Sequence, residues 1–201
     1  KAFGELVEHH SHTPSLAAEE VDALLRDKAD VVVLDARRFD EYHTMSIPGS
    51  ISVPGGELVL RVRDIAPSPD TTVIVNCAGR TRSIIGTQSL VNAGIRNPVY
   101  ALRNGTIGWT LAGLTLEQQQ SRRYGETSET AQRHAAAQAR QVADRAGVAR
   151  IDATTLARWR QEARTTYLFD VRDADEYAAG HLPGSRHVPG GQLVQETDHY
   201  A

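Results

Sequence analysis

"TTVIVNCAGRTRSIIGTQSLV", residues 71–91, decides the fold class. Its first half is a short run of apolar, mostly β-branched residues, as in a strand buried on both faces. Its second half, continued to Gly94, reads as a helix with glycine as its stop signal. Between the two stand Cys77, the only cysteine in 201 residues, and the arginines Arg80 and Arg82. A strand that passes through a short polar loop into a helix is the unit of a parallel α/β sheet.

The flanking sequence repeats the alternation. Upstream, "SLAAEEVDALLRDK" (15–28) predicts an amphipathic helix started by Ser15, with Val21, Leu24 and Leu25 on one face. "DVVVLDAR" (30–37) predicts a buried strand ending at Asp35, and "RFDEYHTM" (38–45) a short helix. "SIPGSISVP" (46–54) predicts a turn and a short strand, Ile51–Val53. Downstream, "PVYALRNG" (98–105) predicts a third strand, and "IGWTLAG" (107–113) closes the unit. Strands alternating with helices imply a mostly parallel sheet covered on both faces.

Composition sets the outer limits. The chain is 40% hydrophobic and 23% charged, with net charge −3, so neither a nucleic-acid footprint nor an anionic-membrane footprint is expected. No 18-residue apolar run predicts a membrane span. A single cysteine cannot form an internal disulfide, which fits a reducing, cytoplasmic location. Residue 1 is Lys, not Met, and the native N-terminus is expected upstream of it. Residues 117–147 are rich in Ala, Gln and Arg and poor in large aliphatics; this is read as a linker, with a helix over 128–145 started by Ser128.

A repeat flanks this linker. "LDARRFDEYHTMSIPGSISVPGGELV" (34–59) aligns without gaps on "FDVRDADEYAAGHLPGSRHVPGGQLV" (169–194), offset by 135 residues and identical at 14 of 26 positions. The chain therefore holds two copies of one domain. The expected organisation is a tail or linker over 1–14, a complete domain over 15–116, a helical linker over 117–148 and an incomplete second copy over 149–201. The chain is read as an excerpt of a longer tandem array, because "FGE" (3–5) echoes "YGE" (124–126). The second copy, short of the strand that would centre its sheet, is expected to pack on the first domain, on another chain or on further residues.

The pattern D-x-R-x-x-x-E-Y from Asp35 to Tyr42, the Pro48-Gly49-Ser50 turn, the cysteine loop "CAGRTRS" and "VYALRNGTIGW" together resemble the rhodanese, or sulfurtransferase, domain. The resemblance implies a five-stranded parallel sheet with helices on both faces and persulfide chemistry at the cysteine. It implies Cys77 as nucleophile, and Arg82, Arg80, Ala78, Gly79, Thr81 and Ser83 as the substrate-binding loop. The six residues from Cys77 to Arg82 match the short loop of the sulfurtransferases; the related phosphatases carry one residue more. Two positions depart from the pattern. Ser46 stands where the second copy has His181, a scaffold position by resemblance, and Asn104 precedes Gly105 where Gly-Gly is common.

The loop also makes chemical sense. A sulfur nucleophile must be a thiolate, yet a model cysteine with pKa about 8.5 is only about 3% ionised at pH 7. Backbone amides curled into an anion nest, a helix N-terminus and neighbouring cations all favour the anion. Gly79 permits the curl, while Arg80 and Arg82 are expected to draw in the donor, Arg82 foremost. Asp35 and Arg37 are read as an internal ion pair that pins a strand end, and His9, His10 and His12 as part of a solvated polar tail.

The expected function is transfer of a sulfane sulfur from thiosulfate or a similar anionic donor to cyanide or a thiol through a Cys77 persulfide. No metal or cofactor is required. The alternatives are a persulfide carrier or sensor, a regulatory module and, least, a phosphatase. Self-association through the incomplete second domain is the expected protein partnership.

Overall fold

The computed structural model describes residues 2–201. Its chain order opens with helix α1 (Ala2–Ser11), strand β1 (Ser15–Leu16), α2 (Ala18–Arg26), β2 (Val31–Asp35) and α3 (Phe39–Thr44). Then come β3 (Ile51–Ser52), a 3-10 turn (Gly55–Glu57), α4 (Leu58–Ile65), β4 (Thr72–Asn76) and α5 (Thr81–Asn92). The first repeat ends with β5 (Val99–Leu102) and α6 (Gly105–Leu111). Its five strands form one parallel sheet in the order β1-β5-β4-β2-β3.

Period-2 alternation divides the central strands between two cores. Val33, Ile74 and Leu102 face one side, where they meet Val21, Ile47 and Trp109. Leu34, Val73 and Val75 face the other, against Leu58, Val62 and Leu90. The predicted helix over 15–28 is shorter at its start. Ser15 and Leu16 pair with Ala101 and Leu102 in the sheet, so Ser15 is not the cap. The N-cap is Ala17, which has no side-chain acceptor, and Glu20 makes the other half of a capping box by taking the Ala17 N–H at 2.6 Å.

The segment after α6 does not hang free. Ser46 and Glu117 exchange backbone bonds of 2.8 and 2.9 Å, and Ser52 N–H donates to Arg122 O at 3.0 Å, so the chain covers the β3 edge. Helix α7 (Glu129–Arg145) follows. Ser128 Oγ accepts from Ala131 N–H at 3.2 Å, while its own N–H and Oγ donate to Asp64 at 2.8 and 2.7 Å. This anchors α7 on α4.

The second repeat runs α8 (Ala153–Gln161), β6 (Phe169–Asp170), α9 (Ala174–Ala179), β7 (Arg186–His187), α10 (Gly190–Gln195) and α11 (Thr197–Tyr200). It repeats the strand pairing and several of the bonds of the first. β6 and β7 pair in the register of β2 and β3. Tyr177 donates to Ser185 O at 3.1 Å as Tyr42 does to Ser50 O at 2.7 Å. Burial is what differs. Ile47 and Ala36 lie in the core, but their counterparts Leu182 and Val171 are exposed.

The two copies meet through their shared "VPGG" segments. A Cβ on Gly55 would lie 3.8 Å from Gly191 Cα, and one on Gly56 would lie 3.9 Å from Gly190 N. Position i of one copy meets position j of the other and the reverse, the pattern of a pseudo-twofold axis. Of the three docking places expected for the second copy, the structure uses the first domain, with α10 packed on α5 and on the Gly55–Glu57 turn.

Candidate active site

The site begins with the end of β4. Asn76 Nδ2 donates to Asp35 Oδ2 at 2.7 Å, and Asp35 takes Arg37 Nε and Nη2, both at 2.8 Å. Arg37 Nη2 also donates to Met45 O at 2.6 Å. The pair is buried, with Arg37 3% and Asp35 0% exposed, and it fixes the strand tip from which Cys77 departs.

Cys77 is 2% exposed. Its thiol donates to Ser83 Oγ at 3.5 Å, and Ser83 Oγ–H donates to Arg80 O at 2.9 Å. The loop carbonyls turn toward α6. Cys77 O accepts Thr106 N–H at 2.9 Å, and Ala78 O accepts Ile107 N–H at 3.1 Å and Thr106 Oγ–H at 3.2 Å. In a trans peptide the N–H opposes the C=O, so the Ala78 and Gly79 amides point away from α6. None of the amides from Ala78 to Ser83 donates to an acceptor among the described residues. They precede or begin the 12-residue α5, whose dipole adds positive potential.

The approach of α6 to this loop demands glycine. A Cβ on Gly105 would sit 2.0 Å from Cys77 O and 2.9 Å from Gly79 O, and its φ is +53°. Asn104 before it is also left-handed, at φ 60°, a conformation asparagine tolerates.

Both loop arginines are paired with carboxylates. Arg82 Nη1 and Nη2 fork onto the Glu41 carboxylate, both at 2.7 Å, and Nη1 also donates to Gln192 Oε1 of the second repeat at 3.3 Å. Burial alone would lower the Arg82 pKa, but the Glu41 hydrogen bonds and charge, helped by Cys77 and Asp35, hold it above its ordinary value. For Glu41, burial pushes upward, yet Arg82 holds the carboxyl below the ordinary range. Arg80 Nη2 is salt-bridged to Glu8 of α1. These partners lie 41 and 72 residues from their arginines, out of reach of any local pattern.

Residues 1–14, expected as a tail or linker with its histidines in a solvated segment, contain α1, which packs on α5. Histidines 9 and 10 lie in its last turn. The carboxylates of Glu57, Asp173 and Glu176 gather within 4.8 Å of one another at the inter-repeat contact, but Glu57 is paired with Arg61 at 2.8 Å. A cleft of about 230 Å³ between the repeats is lined by Arg82, Ile85, Ser89, Gly191 and Val194. Among the described residues no helix is long and apolar enough to cross a membrane.

The chain is similar to known proteins. A thiosulfate sulfurtransferase from Pseudomonas aeruginosa superposes over 100% of this chain with TM-score 0.97 and 72% identity, the match covering 38% of that chain. An HTH-type transcriptional regulator of Mycobacterium tuberculosis is 27% identical over 93 residues, 46% of this chain and 40% of its own length. The chain thus spans less than half the length of either relative. The Rhodanese-like domain pattern matches residues 17–112 and 152–200. These two stretches fall on the two copies of the repeat, the first containing the cysteine loop, and on that ground the chain belongs to the rhodanese-like domain family.

Proposed function

We propose that the chain transfers a sulfane sulfur from thiosulfate to cyanide or a thiol through a persulfide on Cys77. The observation that carries this reading is the set of consecutive loop amides, Ala78 to Ser83, without protein acceptors beside the one cysteine. The likeness to a protein named for thiosulfate sulfur transfer supports the choice of donor.

In the first step the Cys77 thiolate attacks the outer sulfur of thiosulfate. A new S–S bond forms at Sγ, the bond to the sulfonate sulfur breaks, and its electron pair leaves with sulfite. The charge now sits on the outer sulfur of the persulfide. The loop amides and the α5 N-terminus stabilise it there, and fixed dipoles need no reorganisation to do so. In the second step cyanide attacks that outer sulfur, thiocyanate departs, and the electron pair returns to Cys77. Ser83, already bonded to Sγ, can turn its hydroxyl proton toward the thiolate.

Replacing Cys77→Ser is expected to abolish thiocyanate production from thiosulfate and cyanide; activity near wild type rejects the reading. Mass spectrometry after thiosulfate treatment is expected to show one added sulfur, about 32 Da, on Cys77. A stable adduct without turnover would assign the chain to the carrier class instead. The pairing of both loop arginines, which weakens capture of small anions, is the observation that favours that second reading. The lone cysteine supports a reducing compartment such as the cytoplasm. Exposed Tyr167, Val171 and Leu182 support self-association through the second repeat, which sedimentation over a range of concentrations reads directly.

A further inference from the structure

Helix α1 lies outside the stretch that matches the family, yet it docks on the catalytic loop. Gly4 is buried, and a Cβ there would lie 3.0 Å from Thr81 Cα and 3.1 Å from Thr81 Cγ2. Gly4 therefore lets the α1 backbone rest directly on Thr81, backbone and side chain, with no side chain of its own between them. One turn further on, Glu8 takes the Arg80 guanidinium. The end of α1 is tied down by Thr13, whose N–H donates to Glu8 O at 3.3 Å and whose Oγ–H donates to Gln88 Oε1 of α5 at 2.8 Å.

The two arginine pairs beside Cys77 are not equivalent. Arg82 is 10% exposed, forked onto Glu41 and braced by Gln192. A half-buried, bidentate pair of this kind is the firmer of the two. Arg80 is 37% and Glu8 22% exposed, and a single nitrogen makes the contact. An ion pair open to water contributes little and exchanges readily. Arg80 Nε is buried and makes no hydrogen bond among the described residues, so the Glu8 contact is the guanidinium's only ion pair among them.

We propose that Glu8 is a specificity-determining residue of the sulfur-transfer site, its carboxylate occupying the Arg80 guanidinium until an anionic donor displaces it. The proposal rests on the sulfur-transfer reading for its biological sense. Its physical content is that α1 places one removable negative charge at the mouth of the Cys77 loop. A dianion such as thiosulfate must compete with that charge; a neutral reagent need not. The carboxylate then sorts reagents by charge, and it does so from a helix that the family pattern does not include.

A pair of alkylating probes tests this without any turnover. Iodoacetate and iodoacetamide both react with the Cys77 thiolate, forming an S–C bond and releasing iodide, but one probe is anionic and the other neutral. Their rate ratio cancels any change in thiol ionisation and reports the local potential. In the full chain, Glu8→Gln is expected to raise the iodoacetate-to-iodoacetamide ratio about threefold to tenfold at low ionic strength. The rise should largely vanish near 1 M salt, where the screening length is about 3 Å. Gly4→Val, which wedges α1 off Thr81, should move the ratio the same way. In the sulfur-transfer assay Glu8→Gln should lower the KM for thiosulfate by a similar factor, with a smaller change in kcat. A ratio within twofold of wild type, or equal changes in both rates, overturns the proposal. Activity retained by Cys77→Ser would overturn the functional reading and leave the alkylation test standing.

Discussion

Gly105→Ala is the substitution that most directly probes how Cys77 is held. The added Cβ would lie 2.0 Å from Cys77 O, 2.8 Å from Cys77 C and 2.9 Å from Gly79 O. All three are backbone atoms, so no side chain can rotate away. Restoring a tolerable separation of about 3 Å to Cys77 O means moving α6 and the loop apart by about 1 Å. That motion stretches the Thr106 N–H bond to Cys77 O, now 2.9 Å, and the Ile107 N–H bond to Ala78 O, now 3.1 Å. Overpacking of this sort costs about 1–3 kcal/mol, and weakening two hydrogen bonds adds about 1 kcal/mol. The left-handed backbone at φ +53° adds about 1 kcal/mol for a residue with a Cβ. A total near 3–5 kcal/mol is expected in urea unfolding. Protein that still folds should lose about a hundredfold in sulfur transfer, because a displacement of this size spoils attack geometry. Gly94→Ala is the control: its φ is +72° but nothing lies within 4 Å, so only the strain of about 1 kcal/mol applies. If Gly105→Ala matches Gly94→Ala in stability and keeps activity within twofold of wild type, the loop is not held by α6 and the argument fails.

Three further expectations follow from named contacts. Asp35→Asn leaves Arg37 as a buried charge without its counter-ion and should cost about 3–5 kcal/mol in chemical denaturation, whereas Asp170→Asn, at the open counterpart of that site, should leave the midpoint unmoved. Glu41→Gln should destabilise the chain at neutral pH by about 1–3 kcal/mol, because Arg82 loses both forked bonds. Since the folded Glu41 carboxyl is held below its ordinary value, its contribution is full above the usual carboxylate range and fades as pH falls below it; the gap between wild type and Glu41→Gln should close in acid, and a gap that persists there refutes the assignment. Ser128→Ala removes the α7 cap and the hydroxyl bond to Asp64, leaving the backbone N–H bond in place, and should lower stability by about 1 kcal/mol, read as a shift in thermal midpoint.

The sheet was legible because its strands are short apolar runs punctuated by polar residues, as at Asp35 and Asn76, and the helix after Cys77 stops at a glycine, Gly94. The cysteine loop was legible for a related reason: one cysteine between a strand and a helix is a sparse, local signal. The α4 helix carried a readable pattern too, with Leu58, Val62 and Ile65 at helical spacing, but it lies between two turn-rich stretches and went unread. The start of α2 was misplaced because Ser15 looks like a cap in sequence and is claimed by β5 in space. Helix α1 could not be read from its polar composition. A ten-residue helix has little stability of its own and depends here on a docking surface more than 70 residues away. The same distance hid the partners of Arg80 and Arg82. Residue type predicts where a guanidinium stands, but not which carboxylate the fold brings to it.

That distinction bears on how such a loop evolves charge selectivity. The groups that build the nucleophile are all within one repeat: the β4 tip, the Asp35–Arg37–Asn76 cluster, the loop amides and the Gly105 turn. The groups that set the charge around it are less confined. Glu41 comes from α3 of the same repeat, but Glu8 and Gln192 come from the elements on either side of it. The pseudo-twofold contact gives Gln192 a counterpart, Glu57, at the same place in the first repeat. A neutral amide thus faces Arg82 where the other copy carries a carboxylate. Had a glutamate stood at 192, a second negative charge would meet the Arg82 fork, and the mouth of the loop would be more hostile to anions. Gln192→Glu should therefore raise the KM for thiosulfate and lower the iodoacetate-to-iodoacetamide ratio, opposite to Glu8→Gln, with both effects relieved by salt. If the two substitutions shift the ratio in the same direction, charge is not what the neighbouring elements contribute, and their contacts with the loop serve packing alone.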